Sequence, residues 1–419
     1  MAEAVLVRPD REFVEDIIAS GGGDLKKCMQ CANCSVVCEL SDGTNPFPRK
    51  EMAWAQWGLR DRLVTDPDVW LCHQCNDCSL KCPRGARPGD VLAAVRRHAV
   101  QHYAMPSFLA RWVNRARTLP LTFLVPAVLI ALVIAARGPL EAAWPFEAHP
   151  GFYADFFPHW MLIGFYGSLT TLSFVLMVVA LARFWGAMRA ADQAEGRYVV
   201  ASGVAASFVL AVKSILTHER FGMCQAQKPR QVAHLAAFYG FGALFVVTVW
   251  ATIDMYLMPV FGVEPMYPFG LLHPMKILAN VGGVALIYGS TKAMLDRRAQ
   301  GKGVPSSSTF DWTLLWVLLG VGVTGFAAEI FRFTVTPGGA AANTAYAIYF
   351  VHLVLVFQLL VFLPYSKLAH VFYRTVAMAY AEHTGRFHPV RGRPPVAIPL
   401  PATPQPPAVE AGGSVPGPN

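Results

Sequence analysis

Long runs of apolar side chains separated by short polar loops fill the chain from residue 120 onward. Six are long enough to cross a hydrocarbon layer of ~30 Å as helices. They are Pro120–Ala136, Pro158–Trp185, Val232–Leu257, Leu271–Leu295, Trp312–Thr334 and Tyr346–Ala369. A further apolar stretch, Tyr198–Thr217, carries Lys213 and reads as an interfacial or re-entrant helix. The first 105 residues lack such runs. There the pattern predicts a helical turn or two in the lead-in, ended by Gly21 to Gly23, a helix over Arg49–Arg62 and another from Asp90 to about His102. The tail from Thr384 is dominated by Pro, Gly and Ala, cannot bury a core, and is expected to be disordered.

Charge fixes the expected orientation. Arg and Lys crowd the segment before the first span (Arg84 to Arg117), the connections after the second and fourth spans, and the chain after the sixth. The alternate loops, 137–157, 258–270 and 335–345, hold only Arg137. Basic residues mark cytoplasmic loops, so both termini are expected inside, in the inner membrane. Composition agrees: 54% of residues are apolar and 15% charged, with mean hydropathy +0.39. The net charge of +8 is then a matter of topology and does not point to nucleic acid. No secretory signal opens the sequence.

The last run has a histidine towards each end, His352 and His370, 18 residues apart. In one continuous helix they would leave the same face ~27 Å apart. Buried histidines in a span need partners, and haem iron takes axial imidazoles. The plainer alternative is a pair of headgroup-level histidines. By depth, His234 at the start of the third span pairs with His370 on an inner haem. His352 needs an outer partner, His273 or His159, and His273 is preferred because Lys276 and Asn280 follow on its face. In the fifth span Gly325, Glu329 and Arg332 share a face. Glu329 and Arg332 are expected to handle a quinone proton or a haem propionate, and Lys276 to pair with a propionate.

Eight of nine cysteines precede residue 83, in two runs. Cys28, Cys31, Cys34 and Cys38 are spaced x2-x2-x3, and so are Cys72, Cys75, Cys78 and Cys82, the last followed by Pro83. This is the two-cluster ferredoxin spacing, in which the fourth cysteine of each run ligates the other cluster. Cluster one is therefore assigned Cys28, Cys31, Cys34 and Cys82, and cluster two Cys72, Cys75, Cys78 and Cys38. Zinc is the weaker alternative, because a repeated four-cysteine run of this form is an iron–sulfur pattern. Trp54 and Trp57 are expected to pack over the clusters. The ninth cysteine, Cys224, reads as a free thiol.

The two cysteine runs, the segment from Arg230 through His234 to Phe238, His273-Pro-Met-Lys276, and His352 through His370 together resemble the membrane component, or C-subunit, of the quinone-interacting membrane-bound oxidoreductase (Qmo). That component resembles a fusion of the ferredoxin-like and cytochrome b subunits of heterodisulfide reductase. The haem part is also similar to the gamma subunit of respiratory nitrate reductase, whose partner helix carries two histidines ten apart; here the second position is Leu244. The resemblance implies a mainly α protein: a ferredoxin-like domain with two [4Fe-4S] clusters (1–105), a six-helix transmembrane cytochrome b domain with two haems b (106–383), and a tail (384–419). It implies electron transfer between menaquinone and flavin-containing Qmo subunits A and B, linked to adenylylsulfate reductase. The membrane arm of a heterodisulfide reductase or of a sulfite-reductase-linked complex is the near alternative, and a transporter or sensor the distant one.

Overall fold

The computed structural model describes residues 8–42, 45–136, 152–218, 228–299, 306–334 and 340–386. Cys224, Arg137 and the tail from residue 387 lie outside them. The described residues are helical throughout their regular structure. The N-terminal part packs α1 (Arg11–Ala19), α2 (Asn33–Val36), α3 (Arg49–Gln56), α4 (Arg60–Val64), α5 (Asp68–Leu71), α6 (Asp77–Leu80) and α7 (Pro88–Tyr103). The single helix expected over Arg49–Arg62 is broken at Gly58, whose φ of +67° suits glycine. A side chain there would strike the backbone of Asp10, which lies 2.6 Å from the place of a Cβ. Pro88 opens α7, two residues earlier than expected, at a position where a missing N–H costs nothing.

The remaining helices are α8 (Ser107–Asn114), α9 (Leu119–Ala135), α10 (Phe152–Phe156), α11 (His159–Leu162), α12 (Ser168–Ala194), α13 (Val204–Thr217), α14 (Lys228–Thr252), α15 (Pro274–Arg298), α16 (Thr309–Thr334), α17 (Ala340–Leu360) and α18 (His370–His383). Among the described residues, four helical stretches are long and apolar enough to cross a membrane: His159–Ala194, Arg230–Phe261, Thr309–Thr334 and Ala341–Leu360. The pair α8 and α9, bent by 114°, makes a fifth if it is one span. The expected fourth span, α15, has the length at 25 residues but carries Lys276, Lys292 and Asp296 and falls outside that set. It leans on α14 through glycine: a Cβ on Gly240 would stand 2.6 Å from the carbonyl of Gly282, and one on Gly289 would stand 2.7 Å from that of Ala233. Helix α13 is 14 residues long, ~21 Å, too short to span, and lies against α18.

One expectation fails at the sixth span. The apolar run does not continue as one helix to Ala369. Helix α17 ends at Leu360, two 3₁₀ turns follow, and α18 starts at His370. Pro364 cannot donate to a helical ladder, and the Ser366 hydroxyl accepts from Leu368 N at 3.2 Å, capping a new start. His352 and His370 therefore belong to different helices, and the five-turn argument for a shared face does not apply. The break turns α18 into the N-terminal part. There Trp70 stacks on Tyr373 with ring centroids 5.0 Å apart, and Phe184 of α12 closes the same aromatic core. The described residues also run two past the expected start of the tail, to a half-buried Arg386.

Candidate metal centres

The two cysteine runs fold as matching loops. In the first, Gln30 and Ala32 flank Cys31 with φ of +60° and +69°; in the second, Gln74 and Asn76 flank Cys75 with φ of +54° and +66°. Left-handed turns on both sides of the middle cysteine swing three sulfurs to one side, at a cost of roughly 1–2 kcal/mol per non-glycine residue. The sequence crosses over between the loops. Cys28, Cys31, Cys34 and Cys82 line one cavity, and Cys38, Cys72, Cys75 and Cys78 line the other. Helix α7 starts so close to the second loop that a side chain at Gly89 would overlap the Asn76 carboxamide.

The chemistry of these cavities fits iron–sulfur clusters. Burial, then the neighbouring thiols, push the Cys38 and Cys78 thiols well up. Four such sulfurs held together are destabilising as free thiolates and stable as ligands of a cationic core. The Asn76 amide nitrogen and Arg96 Nη2 are buried with no hydrogen-bond partner among the described residues. Both are donors beside the second tetrad, the groups that cluster sulfurs accept. Trp57 does not pack over a cluster; it is 61% exposed. Trp54 lies under Lys50 and Arg62, with Lys50 Nζ 4.9 Å from its ring.

A second polar constellation has no counterpart in the sequence reading. Lys50 Nζ lies 3.1 Å from Glu51, 3.2 Å from Asp66 and 3.2 Å from Asp68. Arg386 reaches Asp66 at 3.5 Å, Asp68 at 3.3 Å and Asp192 of α12 at 2.8 Å. Burial, opposed by Lys50, pushes the Glu51 carboxyl up to about 8. A carboxyl raised in the folded state contributes stability that is complete below its unfolded value near 4.5 and is lost as pH rises towards 8. Glu51→Gln removes that proton requirement, so its unfolding temperature is expected to fall less from pH 5 to 8 than that of the parent. Scanning fluorimetry of the detergent-solubilised protein measures this; parallel curves for the two proteins would reject it.

The histidines separate by chemistry. His370 Nδ1 meets the Lys367 carbonyl at 2.6 Å. A carbonyl only accepts, so Nδ1 donates and Nε2 carries the lone pair, the arrangement of a metal-ligating histidine. His234 lies within electrostatic range of His370, Lys367 and Arg374. His218, absent from the expected set, joins it with ring centroids 5.4 Å apart. His352 is held by Thr324 at 2.9 Å; that hydroxyl donates to Gly320 O at 2.6 Å, so His352 Nδ1 donates to it. Gly325 leaves room for the ring, whose Cε1 stands 3.3 Å from where a Cβ would be.

The structure does not bring His273 to His352. His273 caps α15, its Nδ1 accepting from Met275 N at 3.2 Å, so in the neutral ring Nε2 holds the proton. It stacks on Phe269 at 4.4 Å. The part of α15 level with α16 near Thr324 is Gly283, which faces Phe326, ~15 Å further along the helix. His159 lies edge-on to Tyr267 at 5.9 Å. Lys276 pairs with Glu329 at 2.9 Å, and Asn280 adds a contact to the same carboxylate at 3.5 Å. Arg332 lies over Phe333 at 5.4 Å.

Two tetrads of thiols on a twofold-repeated loop, with Cys34, Cys72 and Cys78 buried and Cys31 exposed, define a dicluster iron–sulfur domain of the electron-transfer class. The family description "4Fe-4S dicluster domain" matches residues 24–86. The chain is 34% identical over 109 residues to the C-subunit of the H(2):CoB-CoM heterodisulfide,ferredoxin reductase of Methanothermobacter marburgensis, covering 24% of this chain and 59% of that protein. It is 35% identical over 108 residues to a protein of Archaeoglobus profundus similar to the heterodisulfide reductase C-subunit, covering 26% and 57%. The match thus spans little more than half of those relatives. The citrate utilization protein B of Escherichia coli is 28% identical over 380 residues, covering 86% of this chain and 92% of that protein. No solved structure matches. The N-terminal region is therefore an iron–sulfur electron-transfer domain related to the heterodisulfide reductase C-subunit, and the described residues that follow it hold four or five helices long and apolar enough to cross a membrane.

Proposed function

We propose that this chain is a membrane-embedded electron-transfer subunit. It passes electrons between a soluble redox partner and the menaquinone pool through two [4Fe-4S] clusters and haem b. The observation that carries the reading is the direct link from the second tetrad to the helix of His370, made by Arg374, whose Nη1 donates to Cys72 O at 3.0 Å. When bound, the clusters and haem supply one-electron carriers. The two tetrads hold the clusters on the side where basic loops place the cytoplasm and both termini. His234 and His370 would hold the inner haem, with Arg230 offering a cation to its propionates. Glu329, paired with Lys276, holds and releases a proton near the outer surface as quinone is reduced or quinol oxidised, and Arg332 stands beside it. A second haem at His352 would need a ligand other than the capped His273.

A relative matched over 86% of the chain is named for citrate utilization, which favours a soluble partner that acts on a small carboxylic acid. The second reading keeps the Qmo arrangement, with flavin-containing subunits A and B and adenylylsulfate reductase, and is favoured by the heterodisulfide-reductase character of the cluster domain. Co-purification of the tagged chain from its own membranes separates them by the partner recovered. The haem assignment has its own test. His234→Ala and His370→Ala are expected to lose the same haem component in an optical redox titration and to keep full iron and sulfide in the clusters. A purified protein with no Soret band, or loss of that component on changing only one of the two, rejects it.

A further inference from the structure

The second tetrad is gripped by two guanidinium groups from opposite ends of the sequence. Arg96 of α7 donates from Nη1 to Cys72 O at 3.1 Å. Arg374 of α18 donates to Cys72 O at 3.0 Å and to Leu71 O at 3.3 Å, and meets His73 Nδ1 at 3.0 Å. Arg96 Nη2 is buried beside this tetrad with no partner among the described residues. A cation in a low-dielectric site acts on a neighbouring charge far more than one in water. At the first tetrad, the Cys28 sulfur accepts from the neutral Gln30 amide at 3.5 Å. Two basic residues line that cavity: Arg84 is exposed and screened, and Arg49 is half-buried.

We propose that Arg96 and Arg374 raise the reduction potential of cluster two, and that Arg374 is also the positioning residue that ties α18, and with it His370, to that cluster. Reduction adds one negative charge to the cluster core, and a buried positive charge beside it favours the reduced form. Arg374 lies one turn after His370, so its fork onto Leu71, Cys72 and His73 sets how far the histidine end of α18 stands from the cluster. This inference rests on the second tetrad holding a cluster; it does not depend on haem.

The test is a redox titration of the anaerobically purified full-length protein, followed by paramagnetic resonance, with iron and acid-labile sulfide counted in each variant. Cys75→Ser identifies the cluster-two signal as the one that disappears. Arg374→Gln and Arg96→Gln are each expected to move that signal's midpoint to lower potential, leaving iron content and the cluster-one midpoint unchanged. Arg374→Lys, which keeps the charge and loses the fork, is expected to restore most of the midpoint. Unmoved midpoints in the two Gln variants, or equal shifts of both clusters, would overturn the proposal. If Arg374→Gln loses iron, Arg96→Gln decides alone: a shift of cluster two supports the proposal and an unmoved midpoint ends it. Iron and sulfide absent from the parent protein would instead overturn the cluster reading itself.

Discussion

Lys50→Ala is expected to destabilise the cluster domain by about 3–5 kcal/mol, the cost of stripping the partner from a buried ion group. Its ammonium stands within 3.2 Å of Asp66 and of Asp68, and 3.1 Å from Glu51, whose side chain has no exposed surface. Arg386 would then face Asp66, Asp68 and Asp192 as the remaining cation, with Arg197 sharing only Asp192. Extra protonation of the carboxyls recovers part of the loss, so the deficit is expected to shrink as pH falls towards 5. Thermal unfolding of parent and variant in the same detergent at several pH values measures both effects. A deficit below about 1 kcal/mol at neutral pH would mean that the group is solvated and not a buried lock.

Cys38→Ala is expected to empty the second cavity, not the first, although Cys38 belongs to the first run. It lines the cavity of Cys72, Cys75 and Cys78, while Cys82 lines that of Cys28, Cys31 and Cys34. Iron should fall from about eight to about four per chain, the content of one [4Fe-4S] cluster. The signal lost should be the one lost in Cys75→Ser. Cys82→Ala should remove the other. If Cys38→Ala and Cys31→Ala remove the same signal, each run closes its own cluster and the crossed ligand sets are wrong.

The cysteine sites are legible because ligand spacing is local: x2 steps confine three sulfurs within one short loop, whatever the rest of the chain does. The apolar helices are legible because lipid imposes length and composition on each helix separately. What the sequence hides is non-local or conformational. The run from Tyr346 to Ala369 is almost wholly apolar, so its break depends on giving Pro364 and Ser366 more weight than the hydropathy. Lys50, Glu51, Asp66, Asp68 and Arg386 look like ordinary solvated charges until chain segments more than 300 residues apart meet. Arg374 reads as one more basic residue after the last span, and nothing in its neighbours announces Cys72. His273 is favoured by helical spacing with Lys276 and Asn280, and that spacing holds, since Lys276 and Asn280 both reach Glu329. It says nothing of the ring nitrogens, which the helix cap decides. His218 offers no signal beyond its place before a polar segment.

The glycine contacts between α14 and α15 bear on how the protein is made. A nascent helix enters the bilayer alone only if its own side chains favour the move, and α15, with Lys276, Lys292 and Asp296, is a poor solo candidate. Helix α14 is apolar enough to enter, and Gly240, Gly282 and Gly289 let the two backbones touch along their length. The translocation machinery would therefore receive them as a preassembled hairpin, with α14 carrying its partner in. A bulky residue at Gly282 or Gly289 would then show its defect at biosynthesis, as chains with loop 258–270 left on the wrong side, before any cofactor is inserted.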